Sequence, residues 1–449
     1  MPLPMPLAPP VTTATRPFQS LMPSMGPPFS CLRAFCRRRA GAEVSDCVTA
    51  GRSSQGDSSQ RASALLTLRP SDALARPGVP PRKGASMHIG LNFGFGKLDP
   101  EVSDHDVYRN ETELAVLAEG LGYDSVWAVE HHFSDYAFCP DNLLWLAHVA
   151  ARTSSIKLGT GAVILPWNTQ PIRVAEKLLM LDHLSEGRVL FGMGRGLSRK
   201  EFEPFGIPLE ETRGRFDESS KMIIEAIESG YMQGDGPFFP VPRTPIKPGP
   251  FAPWGDRIFT VAGSHDSMVS GVNNKCRLMS FILRPVDKMM PTFQAYLDYY
   301  REVWDEQAPP VSLNVAMYCH EDEQVALDGM YEYVGNFFEA NVDHYEMDGV
   351  HFADTKGYER YADTAALIRE KGVSKAGRDY ADAALYGTPQ EILDKLVWIQ
   401  EQMGQFDLVL QPSFGGMSHD TARKSVELFA REVMPKARQH YDATVSASV

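Results

Sequence analysis

Short apolar runs alternate with longer amphipathic segments from residue 87 almost to the end of the chain, and this alternation constrains the fold more than any other feature. Eight of the runs have the length and composition of β-strands, and nearly all are separated by a segment with helical spacing of apolar residues. The predicted strands are His88–Phe95, Ser125–Glu130, Lys157–Leu165, Arg188–Met193, Ile258–Ala262, Leu278–Leu283, Leu313–Cys319 and Phe406–Pro412.

Alternating strands and helices imply a parallel sheet with right-handed crossovers. Eight such units in about 350 residues favour an α/β fold of the closed (β/α)8 type, a TIM barrel with loop insertions. An open doubly wound sheet is the alternative, but Gly90, Gly94 and Gly96 after the first strand lack the G-x-G-x-x-G spacing typical of it. We therefore predict a barrel over residues 87–441, followed by a disordered tail over 442–449.

Residues 1–86 differ in composition from the rest of the chain. They carry 11 Lys and Arg against 4 Asp and Glu, a net charge of +7, so the remainder of this −13 chain carries −20. They also hold 13 of the 33 prolines. Such a segment buries too little apolar surface to offset its chain entropy, which predicts a disordered leader. The composition fits an organelle transit peptide and equally an upstream extension before a start at Met87, which we slightly favour.

Charge and hydropathy exclude several classes of function. The negative net charge argues against binding of nucleic acid or anionic membranes. No run approaches the roughly 18 apolar residues of a membrane span. Six cysteines without a C-x-x-C pair indicate a reducing compartment, here taken as cytoplasmic, with no disulfide framework and no metal site.

The end of the second strand carries the most conspicuous chemistry. Barrel active sites lie where the strands end, and here Glu130, His131, His132 and Phe133 follow in succession. If the strand continues, Glu130 and His132 share one side and His131 takes the other. Imidazoles move protons near neutral pH, so these three are candidate catalytic residues. Structural histidines account for the pattern equally well.

The ends of other strands predict an anion site beside a surface of small side chains. Small residues let a flat group approach the backbone, whereas arginines and helix N-termini bind phosphate. Arg213 and Arg215 precede the helix predicted from Phe216 and could reach the same anion. Steric relief, an ordinary helix N-cap or a solvated charge would explain each residue taken alone. Together they predict a phosphorylated planar cofactor. The candidate cofactor-binding residues are Gly161, Ala162, Gly194, Arg195, Arg213, Gly263, Ser264 and Ser267.

Four segments, in this order, resemble the bacterial-luciferase-like family of flavin-dependent monooxygenases: Gly122–Phe133, Leu181–Arg188, Gly192–Leu197 and Gly387–Glu391. The resemblance runs from Met87 to about Tyr441 and implies a TIM barrel with reduced flavin at its C-terminal mouth. It implies that His131 lies near the oxygen-reacting edge of the flavin, supported by Glu130 and His132. It further implies a cis peptide between Gly161 and Ala162 under the ring, phosphate binding by Arg195, Arg213, Ser264 and Ser267, and a homodimer formed through barrel helices.

The resemblance also implies the reaction. Reduced FMN from a separate flavin reductase, together with O2, would oxygenate a small organic substrate. A deazaflavin-dependent oxidoreductase that transfers hydride and a non-catalytic flavin-binding relative stay open. Gly194, Gly263 and Phe281 stand where luciferase itself has cysteine, glutamate and tryptophan, which favours a luciferase-like oxygenase over a light emitter.

Two long segments interrupt the predicted alternation. Pro237–Trp254 has seven prolines in eighteen residues, so we expect an extended loop that shapes the substrate entrance together with Trp167 and Phe281. Ala340–Gly387 separates the seventh unit from the last. A segment of this length in a barrel is either a lid over the site or surface decoration.

Overall fold

Eight parallel strands close into a ring in which the last strand pairs with the first. The structure is a computed structural model that describes residues 86–447 except 355–357 and 359, so the predicted leader lies outside the described residues apart from Ser86. The strands are β1 Ile89–Phe93, β2 Ser125–Ala128, β3 Lys157–Thr160, β4 Val163–Ile164, β5 Val189–Gly194, β6 Tyr231–Gly234, β7 Val241–Pro245, β8 Ile258–Val261, β9 Arg277–Phe281, β10 Val311–Cys319, β11 Leu385–Gly387 and β12 Phe406–Gln411.

The ring runs β1, β2, β3, β5, β8, β9, β10 and β12, and every pairing in it is parallel. The helices are α1 Asp104–Gly120, α2 Asn142–Ala150, α3 Pro171–Leu184, α4 Arg199–Phe202, α5 Thr212–Ser229, α6 His265–Asn273, α7 Val286–Trp304, α8 Glu323–Tyr345, α9 His351–Asp354, α10 Arg360–Lys371, α11 Val373–Ala383, α12 Pro389–Met403, α13 His419–Glu432 and α14 Met434–Ala447. The predicted (β/α)8 barrel is confirmed. No helix among the described residues is long and apolar enough to cross a membrane.

One large aromatic side chain fills the interior of the barrel. Trp127 on β2 is buried in a cluster with Leu190, Phe259, Met279 and Val409, each contributed by a different strand. A Cβ at Gly159 on the neighbouring strand would lie 2.2 Å from the indole ring. The glycine therefore makes room for the tryptophan, and the interior is a packed core with its site at one end.

Several boundaries differ from the sequence prediction. The predicted strand Lys157–Leu165 is divided into β3 and β4, and the cis peptide between Gly161 and Ala162 lies between them. Helix α14 continues through Ala447, within the segment predicted as a tail, and the Thr444 hydroxyl donates a hydrogen bond to the His440 carbonyl one helical turn earlier.

The proline-rich segment, predicted as an extended loop at the substrate entrance, begins beside the first turn of α5, where the Phe238 ring centre lies 5.1 Å from the guanidinium carbon of Arg215. Part of it is strand β7, which pairs with β6 in an antiparallel hairpin along α5. Its later part packs at the opposite end of the barrel, where the ring of Phe251 lies 5.0 Å from that of His183 just before β5 begins. Connections that follow a helix return to the N-terminal ends of strands, away from the site.

The insertion before the last unit is largely helical. It contains the end of α8, then α9, α10, α11 and the short strand β11, which extends the sheet beside β10. Its first turn lies against the loop that follows β2, because Asn341 donates a 3.1 Å hydrogen bond to the Tyr136 hydroxyl. The segment therefore contributes to the mouth of the barrel.

Candidate active site

The Glu-His-His-Phe segment follows β2 as a loop. The strand ends at Ala128, two residues earlier than predicted, and the segment finishes at Phe133, whose φ of 62° reverses the chain. The predicted division of side chains nevertheless holds. His132 lies on the same side as Glu130, with its Nε2 3.7 Å from Glu130 Oε1, whereas His131 faces a different partner.

Glu130 stabilises the loop that follows β4. Its buried carboxylate accepts hydrogen bonds from the Ile164 backbone N–H at 2.8 Å, the Trp167 indole at 2.7 Å and the Asn168 amide at 3.1 Å. All three donors belong to one turn, so the carboxylate fixes the position of that turn. Trp167 is thereby held beside His132, with a ring separation of 5.4 Å.

His131 is held at both ring nitrogens. Its Nδ1 lies 3.0 Å from Glu201 Oε1, and its Nε2 lies 3.2 Å from the Tyr345 hydroxyl. An ionised carboxylate can only accept, so Nδ1 carries a proton, and in the neutral imidazole Nε2 accepts from the tyrosine hydroxyl. Glu201 Oε1 also accepts the His132 backbone N–H at 2.8 Å. An imidazole with a basic Nε2 at a barrel mouth is suited to accept a proton.

Glu201 lies between two imidazoles. Its side chain is 1 % exposed, and His344 Nε2 lies 3.4 Å from its second oxygen, Oε2. Burial opposes ionisation of the carboxyl, but the facing His131 and His344 outweigh it and hold the Glu201 pKa well below its usual range. Burial lowers the pKa of His344.

These three residues are also the candidate metal ligands of the described chain, a set that the sequence did not predict. One donor atom from each of His131, Glu201 and His344 lies within 4.8 Å of the others. Glu201 Oε1 already accepts two hydrogen bonds. We therefore interpret the group as a hydrogen-bonded His131–Glu201 pair that His344 Nε2 approaches at 3.4 Å.

A surface of small residues adjoins this cluster. The cis peptide implied by the family resemblance is present between Gly161 and Ala162. Asn142, the first residue of α2, donates through Nδ2 to the carbonyls of Ala128 and Ala162 at 3.1 and 3.0 Å. A Cβ at Gly194 would lie 3.3 Å from the Ala162 Cβ. Small side chains from two strand ends therefore meet here and leave room for a flat group.

The predicted phosphate-binding residues meet at the ends of β5 and β8. Arg213 Nη2 donates a 2.9 Å hydrogen bond to the Ser267 hydroxyl, and the Ser264 hydroxyl donates to the same oxygen at 2.9 Å. The Ser267 oxygen thus accepts two hydrogen bonds, and its own hydroxyl proton stays available to donate to a ligand. Ser264 caps α6, whose first N–H groups add partial positive charge.

Two guanidinium groups stand side by side at this point. Burial and the charge of Arg195 both lower the pKa of Arg213. Arg213 Nη1 lies 3.6 Å from Asp217 Oδ1 and is buried without a hydrogen-bond acceptor in the described part of the chain. An anion would satisfy this donor and relieve the repulsion between the two cations. Gly263 is exposed in the turn before α6.

Arg215 does not join this group, although the sequence placed it near the same anion. It pairs at 2.7 Å with Glu211, the residue immediately before α5. Its guanidinium carbon lies 5.1 Å from the centre of the Phe238 ring. Arg213 and Arg215 are two residues apart on α5 and therefore point in different directions.

Comparison with known proteins decides the family. The model of the luciferase-like monooxygenases matches residues 87–405. The chain belongs to this family. It is 26 % identical over 369 residues to the alkanal monooxygenase alpha chain of Photorhabdus luminescens, covering 79 % of this chain and 99 % of that one. It is also 26 % identical to the oxygenase component of the flavin-dependent trigonelline monooxygenase of Acinetobacter baylyi, covering 80 % and 99 %.

Solved structures of similar fold cover almost the same region of this luciferase-like chain. Monooxygenase RslO1 from Streptomyces bottropensis has a TM-score of 0.62 at 26 % identity, covering 78 % of this chain and 99 % of that one. The oxygenating constituent of 3,6-diketocamphane monooxygenase from Pseudomonas putida, in complex with FMN, has 0.63 at 20 %, covering 78 % and 99 %. A coenzyme F420-dependent reductase from Methanopyrus kandleri has 0.54 at 18 %, covering 78 % and 99 %. The last two show the shared fold alone.

Three residues of this luciferase-like site escaped the sequence analysis. Glu201 stands in the charged run Arg199-Lys200-Glu201, which resembles a solvated surface. It follows the same strand as Arg195, so inspection of the whole connection after β5 would have found it. His344 and Tyr345 end α8, far along the chain, and no local pattern connects them to His131.

Proposed function

We propose that this luciferase-like protein is a monooxygenase that uses reduced FMN and O2 to oxygenate a small organic substrate. The observation that carries the proposal is the anion-binding group formed by two arginines and a serine, Arg195, Arg213 and Ser267. This group lies at strand ends beside the Gly161–Ala162 surface. A phosphate and a flat ring are the two chemical features that such a site selects.

The residues fit FMN by a structural test. The buried Arg213 Nη1 has no hydrogen-bond acceptor in the described chain, and phosphate oxygens supply one. Around Gly161, the Asn92 Oδ1 is buried without a hydrogen-bond donor in the same described region, and a Cβ on the glycine would lie 3.2 Å from it. Reduced FMN, when bound, supplies the electrons that activate oxygen. Arg195, Arg213, Ser264 and Ser267 would hold its phosphate.

The protein's own residues then provide orientation and proton handling. Gly161, Ala162 and Gly194 would support the ring. His131 would take up or return a proton at Nε2, since Glu201 keeps Nδ1 protonated. Glu130 would act at a distance by fixing Trp167, and the aromatic rings around His132 would exclude water.

We propose that a separate flavin reductase supplies the reduced FMN. The trigonelline relative is described as an oxygenase component, which implies a partner. The described barrel contains no G-x-G-x-x-G turn for a nicotinamide cofactor after β1.

Oxygen dependence tests this function. The full chain is mixed anaerobically with reduced FMN or reduced deazaflavin and a panel of small organic compounds, and 18O2 is then admitted. We expect 18O in a product only with FMN and only after oxygen enters. Turnover without oxygen, driven by reduced deazaflavin, would instead establish the hydride-transfer alternative. Binding of FMN without any turnover across the panel would favour a non-catalytic flavin-binding protein.

We further propose a homodimer formed through α2 and α3. These helices expose three large apolar side chains, Leu144, Met180 and Leu184, at 72 %, 56 % and 60 %. Burying them against a second copy removes apolar surface from water. Leu184→Glu should shift the sedimentation coefficient from dimer to monomer, whereas Val303→Glu on α7, 39 % exposed, should leave it unchanged.

A further inference from the structure

Consecutive residues of the α4 segment contact consecutive residues at the C-terminal end of α8 and fix the two helices against each other. Arg199 pairs with both oxygens of Glu346, at 2.6 and 3.0 Å. Lys200 Nζ donates to the Asp343 carbonyl at 2.7 Å, and Ser198 Oγ donates to the His344 carbonyl at 2.9 Å. This α4–α8 clamp, residues 198–201 against 343–346, gives the start of the insertion a single register at the barrel mouth.

The clamp places His344 against the oxygen of Glu201 that His131 does not use. Glu201 Oε1 accepts from His131 and from the His132 backbone, while Oε2 lies 3.4 Å from His344 Nε2. The His344 ring is 1 % exposed and stacks on Tyr136, with 4.8 Å between ring centres. The next residue, Tyr345, holds the far nitrogen of His131.

Charge determines what His344 can do there. A buried ionised carboxylate needs a polar partner at each oxygen, and a neutral His344 with its proton on Nε2 can supply one for Oε2. The two atoms lie 3.4 Å apart without hydrogen-bond geometry in the described structure, so the contact acts through the N–H dipole. The charged and titratable groups that face it are Glu201 and Lys200 on α4, His131 and Tyr136 in the loop after β2, and Tyr345 on α8.

We propose that His344, carried by the insertion helix α8, is a positioning residue for His131. It acts through Glu201, whose carboxylate it holds in one rotamer. The carboxylate in turn keeps the His131 proton on Nδ1 and leaves Nε2 basic. The kinetic consequence rests on the proposed oxygenase function, whereas the tautomer of His131 does not.

Imidazole 15N chemical shifts, measured on the cofactor-free full chain, report which ring nitrogen of His131 carries the proton. The variants are His344→Gln, whose amide can donate to Oε2, and His344→Leu, whose side chain cannot. A matched control is His419→Leu, because His419 also faces a carboxylate, Glu113, at 3.3 Å, but on the α1–α13 surface. We expect His131 to be the Nδ1–H tautomer in wild type, His344→Gln and His419→Leu, and a tautomer mixture in His344→Leu. An unchanged His131 tautomer in His344→Leu would overturn the proposal.

Kinetics supply the second measurement. In the oxygenase reaction, His344→Leu should lower kcat about tenfold, displace the pH profile of kcat and leave the KM for reduced FMN unchanged, with His344→Gln restoring most of the rate. If the protein does not use oxygen, the kinetic arm fails while the NMR result still decides the role of His344. Stoichiometric Zn²⁺ binding that disappears in both His344 variants would overturn the proposal in favour of a metal site.

Discussion

Arg213 donates its Nη2 proton to the hydroxyl of Ser267 at 2.9 Å, which joins the first turn of α5 to the first turn of α6. The two helices belong to different β/α units, and their N-termini meet above the ends of β5 and β8. Positive charge and a free hydroxyl proton are thereby concentrated at one point of the mouth.

Arg213→Gln should therefore weaken phosphate recognition selectively. Loss of charge-assisted hydrogen bonds costs about 1.5–3 kcal/mol, so the Kd for FMN should rise roughly ten- to hundredfold while the Kd for riboflavin stays unchanged. Quenching of tryptophan fluorescence measures both. Arg215→Gln is the matched control, since Arg215 pairs with Glu211 and points elsewhere. Equal weakening by both variants would mean that the phosphate binds at another place.

We expect His131→Gln to lower the rate of turnover without weakening the binding of FMN. General acid–base catalysis contributes about 10²–10⁴-fold, so kcat should fall by that range while the affinity for FMN is kept. His419→Gln, in a surface His–Glu pair, should retain the wild-type rate. A variant of His131 with full activity would remove this residue from the proton-handling role.

Gly159→Ala should destabilise the barrel from inside. Its Cβ would lie 2.2 Å from the Trp127 ring, and overpacking of this kind costs about 1–3 kcal/mol in the free energy of unfolding. Gly120→Ala makes a matched control at the end of α1, where nothing lies within 4 Å of the new Cβ. Replacement there should be neutral or stabilise by up to about 1 kcal/mol. Urea unfolding of both variants measures the contrast, and similar stabilities would contradict the packing argument.

Glu111 should make stability fall between mildly acidic and neutral pH. Burial raises its pKa from 4.5 to about 7, against the opposing hydrogen bonds from Ser413 and the Phe95 backbone. The folded state thus holds a proton that the unfolded chain releases above pH 4.5, so stability is full below that pH and is lost as pH rises towards 7. The shift corresponds to about 3 kcal/mol.

Glu111→Gln should abolish this part of the pH dependence. The amide is neutral throughout and its oxygen still accepts from Ser413. Urea unfolding at about pH 5 and about pH 8 compares the variants, with Glu113→Gln on the same helix as a control because Glu113 is 54 % exposed. A wild-type protein equally stable at both pH values would refute the assignment.

The fold could be predicted because its determinants are local. Eight apolar runs and the helices between them specify a barrel, and the residues that follow each strand must gather at one end. That rule brought Arg213, Ser264 and Ser267 together correctly, although they are distant in sequence. The prediction for Arg215 was wrong because the direction of its side chain depends on where α5 begins. The helix begins at Thr212, three residues before Arg215.

The partners of His131 could not be predicted because they are not at strand ends. Glu201 belongs to a short helix after β5, and His344 belongs to the insertion. Their positions follow from the α4–α8 clamp, which consists of ion pairs and hydrogen bonds between segments about 145 residues apart. Periodicity contains no information on such pairs. For the proline-rich segment, composition predicts an extended loop but neither the β6–β7 hairpin nor the packing of Phe238 against Arg215.

Asn142 has one more consequence. Its side-chain amide ties together the carbonyls of Ala128 and Ala162, while its backbone begins α2, the helix that exposes Leu144. A single buried residue therefore connects the floor of the mouth to the helix that carries the surface proposed for a second copy. In the proposed dimer, a contact at Leu144 would lie two residues along the chain from the amide that binds the Ala162 carbonyl, so a change at that contact would reach the proposed cofactor site through one short step of helix.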